Sequence, residues 1–411
     1  MLGKFPIGFW NYPNINSYGP EEVTRWTKCG MTLNQSPRFD YAKNTKEQML
    51  ALLDECERQG MKLMLCIAGI EYRDALKDID ALRKTYIRAY EDFGKHPATY
   101  GFFVGDEPVG REENQACIDA YKIYREISPE LTPFLNFNTY YPGFEEDILG
   151  GQNFTEWGKK FTEESGCSII CYDCYHQMNP GTEGLDSYFL NLKMYADMAN
   201  AAGIELWTTL LSTAHYRYRV PSEDDLRWQL NTAVASGCRG ILWFLFYGGF
   251  NNNYRVAPID EFGEESETYR YLTRVQKRFH VMHGDLLYSL KHKKAYHFEK
   301  CYGTVDPFPQ NTHKFIKRMN SVDKLPGILS FFEDDKGREY AVLVNNSPFE
   351  SGRFEFVLDK SVKKIWRIEF NGTNEVDFAA FHHDALYHEE YEGIFAGVWM
   401  APGQMEIFRF E

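Results

Sequence analysis

Through its first two-thirds the chain alternates between short apolar runs and longer amphipathic stretches. The apolar runs occupy residues 6–10, 31–34, 62–67, 100–104, 133–137, 168–172, 205–210 and 240–245. Several are continuous rather than alternating, as expected of strands buried on both faces of a parallel sheet. Between them the apolar residues recur at helical spacing. Thr45-x-x-Gln48 reads as a capping box that opens a helix with Met49, Leu52, Leu53 and Cys56 on one face, stopped by Gly60. Leu185, Tyr188, Phe189, Leu192 and Ala196 mark another face, closed near Gly203, and Pro221-Ser222 open a third helix running to Gly237. Residues 264–281 form the last. Eight such β-then-α units within roughly 280 residues predict an α/β fold, a (β/α)8 TIM barrel. The competing fold is an open doubly wound sheet, but the chain has no G-x-G-x-x-G or Walker sequence.

After about residue 285 the helical period disappears. Short strands are expected at 328–333 and 340–344, joined by Asp335-Lys336-Gly337, then at 364–370, followed by Asn371-Gly372, and at 405–410. This pattern predicts a C-terminal all-β sandwich. The expected division is a barrel over 1–285 and a sandwich over 286–411.

Composition narrows the function classes. Hydrophobic residues make up 44% and charged residues 25%, the profile of a globular chain, and no apolar run approaches the roughly 20 residues that span a bilayer. Lys and Arg total 45 against 59 Asp and Glu, a formal charge of −14. That balance argues against nucleic acid and against an anionic membrane surface as partners. The nine cysteines are odd in number and scattered, and the first residues carry no export-signal pattern, so a cytoplasmic location is expected. Cys167, Cys171 and Cys174 with His176 superficially resemble zinc spacing. Two of them fall along the sixth strand and no second Cys pair exists, so neither a metal nor a cofactor is expected. His382, His383 and His388 read as surface residues of the sandwich.

A barrel carries its active site at the C-terminal ends of its strands. Strand four ends in Asp106-Glu107-Pro108, two adjacent carboxylates directly after an apolar run. Burying them there is unfavourable unless chemistry uses them, although Glu107-Pro108 also suits a helix start. Strand six ends in Tyr172-Asp173-x-Tyr175, adding a carboxylate and two phenols, with a structural loop-capping Asp as the competing reading. Trp10, Asn136, Asn138, His215, Trp243 and Tyr247 complete a polar and aromatic rim of the kind that binds sugar hydroxyls and ring faces. With 16% Phe, Tyr and Trp, each aromatic taken alone is better explained by packing than by contact.

On these residues the chain resembles a barrel glycoside hydrolase, and its layout is similar to β-galactosidase-like enzymes of the large retaining clan. The resemblance implies an O-glycosyl hydrolase acting on small oligosaccharides or glycosides, with Glu107 as general acid/base. The clan's nucleophile, a Glu ending strand seven, has no counterpart in Leu206–Ser212. Two substitutes stay open. The Asp106-Glu107 pair is similar to that of substrate-assisted hexosaminidases, where the Asp orients a 2-acetamido group, and Tyr172-Asp173 is similar to the strand-six pair of chitinase-type barrels. Alternatively, Asp173 or Asp106 activates water in an inverting reaction. The rival classes are a non-catalytic carbohydrate-binding barrel and a metal-dependent hydrolase using Asp106, Glu107, Asp173 and His215.

Overall fold

A computed structural model describes residues 3–249, 253–369, 375–377, 385–390 and 393–411, with the backbone alone for 375–377, 385–390, 393 and 394. Asn371-Gly372, His382 and His383 lie outside the described residues, and of His388 only the backbone is described.

Each apolar run of the first two-thirds is a strand: β1 (Ile7–Phe9), β2 (Leu33–Gln35), β3 (Lys62–Leu65), β4 (Thr99–Asp106), β5 (Thr132–Phe137), β6 (Ile169–Asp173), β7 (Glu205–Leu211) and β8 (Cys238–Phe244). All the pairings are parallel, in the order β1-β8-β7-β6-β5-β4-β3-β2. Thr32 bridges the remaining seam, its N–H donating to Ile7 O (2.7 Å) and its Oγ1 accepting from Ile7 N–H (2.9 Å). The principal helices are α1 (Val23–Cys29), α2 (Lys46–Arg58), α3 (Ile79–Ala89), α4 (Gly110–Ile127), α5 (Phe154–Ser165), α6 (Leu185–Ala202), α7 (Glu223–Ala235) and α8 (Glu267–Phe279). The capping box at Thr45 and Gln48 is present, and a second one joins Ser222 to Asp225 at the start of α7. The protein therefore has the TIM-barrel fold that the spacing predicts.

Strand residues divide by parity. Leu33, Met64, Phe103, Phe134, Cys171, Trp207 and Leu242 fill the barrel interior. Their neighbours, among them Phe102, Ile170, Tyr172, Ile241 and Trp243, pack outward under the helices. Both faces of each strand are buried, which explains the continuous apolar runs.

The strands after β8 pair antiparallel. One sheet runs β9 (Lys291–Phe298), β11 (Gly327–Glu333), β12 (Glu339–Asn345), β18 (Met405–Phe410), β14 (Ile365–Ile368) and β15 (Glu375–Asp377). The other runs β10 (Ile316–Ser321), β13 (Gly352–Leu358), β17 (Gly393–Met400) and β16 (Ala385–Glu390). Leu329, Phe331, Leu343 and Phe408 point into the sandwich core with Phe354, Phe356 and Val398. Ile328, Phe332, Val342 and Ile407 point the other way and join the core of the barrel. The six-stranded sheet is thus shared between two cores. Across it Trp228 Nε1 of α7 donates to Asn346 Oδ1 (3.0 Å), and Asn231 Nδ2 donates to Gly403 O (2.8 Å).

Gly403 sits in the left-handed region (φ 65°), and a Cβ there would lie 2.4 Å from Trp228 Cα. Neither the backbone conformation nor the backbone neighbour yields readily. Gly403→Ala is expected to destabilise the protein by about 2–4 kcal/mol in denaturant unfolding.

Candidate active site

Consecutive residues of a regular strand point to opposite faces. At the end of β4 that rule is suspended. The register against β5 slips between Phe103 and Gly105, a bulge of the kind that re-aims side chains at barrel rims. Gly105 has φ 151°, and a Cβ there would come within 2.2 Å of the Tyr72 ring. Two residues on, Glu107 holds φ 46°, unusual for a residue with a side chain. Its N–H donates to Asn136 O (2.9 Å). The result is that Asp106 and Glu107, adjacent in sequence, line the same cavity. Gly105→Ala is expected to displace both carboxyls, because neither the backbone conformation nor the Tyr72 ring admits a Cβ there, and a crystal structure of the variant reads the displacement.

Asp173 ends β6 and turns inward beside them. One amide holds the two aspartates together: Asn136 Nδ2 donates to Asp106 Oδ1 (3.1 Å) and to Asp173 Oδ1 (2.9 Å). Asn136 Oδ1 in turn accepts from Thr209 Oγ1 (3.3 Å) and Cys171 Sγ (3.4 Å). Both amide hydrogens and the amide oxygen are therefore committed within the protein. Asp173 is 8% exposed, whereas Glu107 is exposed at the mouth.

Three carboxyls crowded at a low-dielectric barrel end resist ionising together. Burial first, and then the charge of Glu107, push Asp106 up to about 7. The same two causes, with Asp106 added, hold Asp173 well above the usual carboxylate range. Desolvation raises Glu107 too, and the Arg73 guanidinium opposes it. Burial lowers His215 to about 4, so its imidazole is neutral at pH 7. His215 Nδ1 is buried without a protein partner on the cavity wall.

The cavity has a volume of about 340 Å³, at the small end for ligand sites. Trp10, Asn136, Tyr175 and His215, expected from the sequence, line it with the three carboxyls. Tyr12, Thr139, Tyr216, Tyr218, Phe244 and Tyr254 line it as well and were not expected. Phe244 was findable: it is two residues beyond inward-facing Leu242, hence on the same face of β8.

Four expected residues stand elsewhere. Trp243 and Tyr172 have the outward parity: Trp243 is fully buried, and Tyr172 stacks on Tyr195 of α6 at 4.2 Å. Tyr247 is buried, accepting from Trp26 Nε1 (2.6 Å) and donating to Glu22 Oε2 (2.8 Å). Asn138 lies just past β5 and ties loops together, its Nδ2 donating to Pro108 O (3.0 Å). None of these four lines the cavity.

The strand-six cysteines are packing residues. Cys171 fills the barrel interior, Cys167 and Cys174 are buried among the helices, and His176 Nδ1 pairs with Ser187 Oγ (2.7 Å). Among the described residues one trio of potential metal donors converges, Asp54, Glu57 and His96, away from the cavity. His96 Nδ1 accepts from Ala98 N–H (3.1 Å), which leaves the ring proton on Nε2, facing Asp54 (3.0 Å). That geometry is a hydrogen bond, not a prepared ligand.

No protein-family model and no curated protein matches the sequence. Solved structures do resemble the fold. One is a family 5 glycoside hydrolase from Bacteroides vulgatus ATCC 8482, with TM-score 0.56 and 10% identity over 99% of this chain and 88% of that one. A family 39 glycoside hydrolase from Bacteroides cellulosilyticus WH2 has TM-score 0.55 and 10% identity over 100% of this chain and 82% of that one. The β-galactosidase from the psychrophilic Marinomonas ef1 has TM-score 0.52 and 13% identity over 70% of this chain. This chain spans 62% of the length of that β-galactosidase. At such identities the likeness is one of fold.

Proposed function

We propose that the protein is a glycoside hydrolase that cleaves O-glycosidic bonds of small oligosaccharides or glycosides. The observation that carries this reading is the convergence of Asp106, Glu107 and Asp173 in one small, aromatic-walled cavity at the C-terminal end of a barrel. The fold shared with several sugar hydrolases supports it.

Glu107 is the general acid. Among the three carboxyls it is the one open to the mouth, where a departing group can reach it, and desolvation raises it from its ordinary value while the Arg73 guanidinium opposes the rise. In the reaction the bond from the anomeric carbon to the leaving oxygen breaks. The Glu107 proton goes to that oxygen, water supplies a hydroxyl to the anomeric carbon, and the second proton of water passes to a carboxylate. Asp106 and Asp173 compete for the second role. In an inverting reaction one of them takes the water proton. In a substrate-assisted reaction Asp106 orients a 2-acetamido group, and Glu107, deprotonated in the first step, receives the water proton in the second. Trp10, Tyr175 and His215 are the sugar contacts. Nine unpaired cysteines, eight of them buried, support a cytoplasmic enzyme. Among the described residues no helix is long and apolar enough to cross a membrane.

A second reading, a carbohydrate-binding barrel without catalysis, is favoured by β7. Its mouth end presents Leu211, Ser212 and Thr213, with no carboxylate. A panel of chromogenic glycosides with and without a 2-acetamido group, run on wild type and Glu107→Gln, separates the two. Hydrolysis confined to 2-acetamido sugars supports substrate assistance. Hydrolysis of plain glycosides removes substrate assistance and leaves the second role to Asp173 or to a further nucleophile, which the stereochemistry of the released sugar separates. Saturable sugar binding with no turnover would establish the binding protein.

A further inference from the structure

Exposure rises across the three carboxyls, from Asp173 at 8%, through partly buried Asp106, to exposed Glu107. The cavity thus has a closed end at Asp173 and Asn136 and an open end at Glu107. An acid that protonates a departing oxygen stands on the side from which the leaving group departs. If Glu107 is that acid, the ring being cleaved occupies the closed end and the leaving group faces the mouth.

The mouth is aromatic. Tyr216 is 74% exposed and Tyr12 46% exposed, and both line the cavity. Tyr216 is held in place against its own conformational preference. Its φ is 47°, and its N–H donates to Asn253 Oδ1 (2.9 Å). Just upstream, Ala214 exchanges two backbone bonds with Arg255 (3.0 and 2.8 Å). A large ring kept in the left-handed region and left open to solvent adds little to the core, which marks it as a contact residue. It is continuous with the cavity wall: Tyr216 meets His215 at 5.3 Å between ring centres, and Tyr12 meets Phe244 at 6.0 Å and Trp10 at 6.4 Å.

We propose that Tyr216 and Tyr12 form a leaving-group subsite that stacks on a sugar ring, so that the protein removes one glycosyl unit at a time from the end of a short oligosaccharide. This rests on the hydrolase reading given above. The test compares kcat/KM for the methyl glycoside, an aryl glycoside and a disaccharide of one and the same cleaved sugar, in wild type, Tyr216→Ala and Tyr216→Phe. In Tyr216→Ala the disaccharide-to-methyl ratio is expected to fall about three- to tenfold, the loss of one aromatic stack. Tyr216→Phe keeps the ring and is expected to keep the ratio. An unchanged ratio in Tyr216→Ala would overturn the subsite and leave the hydrolase reading standing. A fall confined to the aryl glycoside would overturn the assignment of a sugar to it. Failure of wild type to hydrolyse any member of the series overturns the hydrolase reading and the subsite with it.

Discussion

Glu107→Gln is expected to lower kcat by about 10²–10⁴-fold on glycosides with basic leaving groups, with KM nearly unchanged. The amide preserves the size of the side chain and can still hydrogen-bond the glycosidic oxygen, but it has no proton to give. The size of the loss should therefore track the leaving group. An alkoxide cannot depart without a proton, whereas an acidic nitrophenol departs largely unaided. Measuring kcat/KM, which reads the step in which the leaving group departs, for an alkyl and a dinitrophenyl glycoside of the same sugar checks this directly. An equal loss on both would show that Glu107 acts on something other than the departing oxygen. The backbone of Glu107 adds a second expectation. Because φ is 46° there, Glu107→Gly relieves the strain and is expected to leave the protein at least as stable while removing the acid.

Asp106→Asn is expected to stabilise the fold while it damages catalysis. The folded protein holds Asp106 at about 7, whereas an unfolded chain holds an aspartate near 3.9. Between those values the folded state keeps a proton that the unfolded state has lost, so stability falls as pH rises through this window. Above pH 7 both states are ionised and the folded state bears the full penalty, with a ceiling of about 4 kcal/mol. The substituted amide would still accept from Asn136 Nδ2 but would carry no charge beside Glu107. A gain of about 1–3 kcal/mol at pH 8 is expected, shrinking toward zero near pH 4, because Asp106 is only partly buried and shares its repulsion with two neighbours. Thermal unfolding of wild type and variant at pH 4, 6 and 8 reads it. A gain independent of pH would mean that packing, and not charge, separates the two proteins.

The barrel was legible because its strands are buried on both faces and its helices on one. That contrast shows as continuous runs against periodic ones, and each of the eight runs is a strand. The placement of Asp106, Glu107 and Asp173 at strand ends was legible for the same reason. Facing was harder. Trp243 and Tyr172 look like rim residues only if every residue near a strand end counts. Counting by twos from Leu242 and Cys171 assigns both to the helix side. The bulge before Asp106 works in the opposite direction: strict alternation would separate Asp106 from Glu107, and the slip at Gly105 reunites them. Tyr216 and Tyr254 sit on loops, where no period constrains direction, so only the folded chain reveals that they meet at the cavity. Asn136 was expected to bind sugar. Instead its amide hydrogens are given to the two aspartates, a role that depends on three strands meeting and leaves no local signal.

The six-stranded sheet that packs Ile328 and Val342 against the barrel and Leu329 and Leu343 against its partner sheet makes one surface a component of both cores. Neither half can melt without stripping the other of a wall. Calorimetry is therefore expected to show one endotherm for the whole chain, its van 't Hoff and calorimetric enthalpies in agreement, rather than two transitions in series.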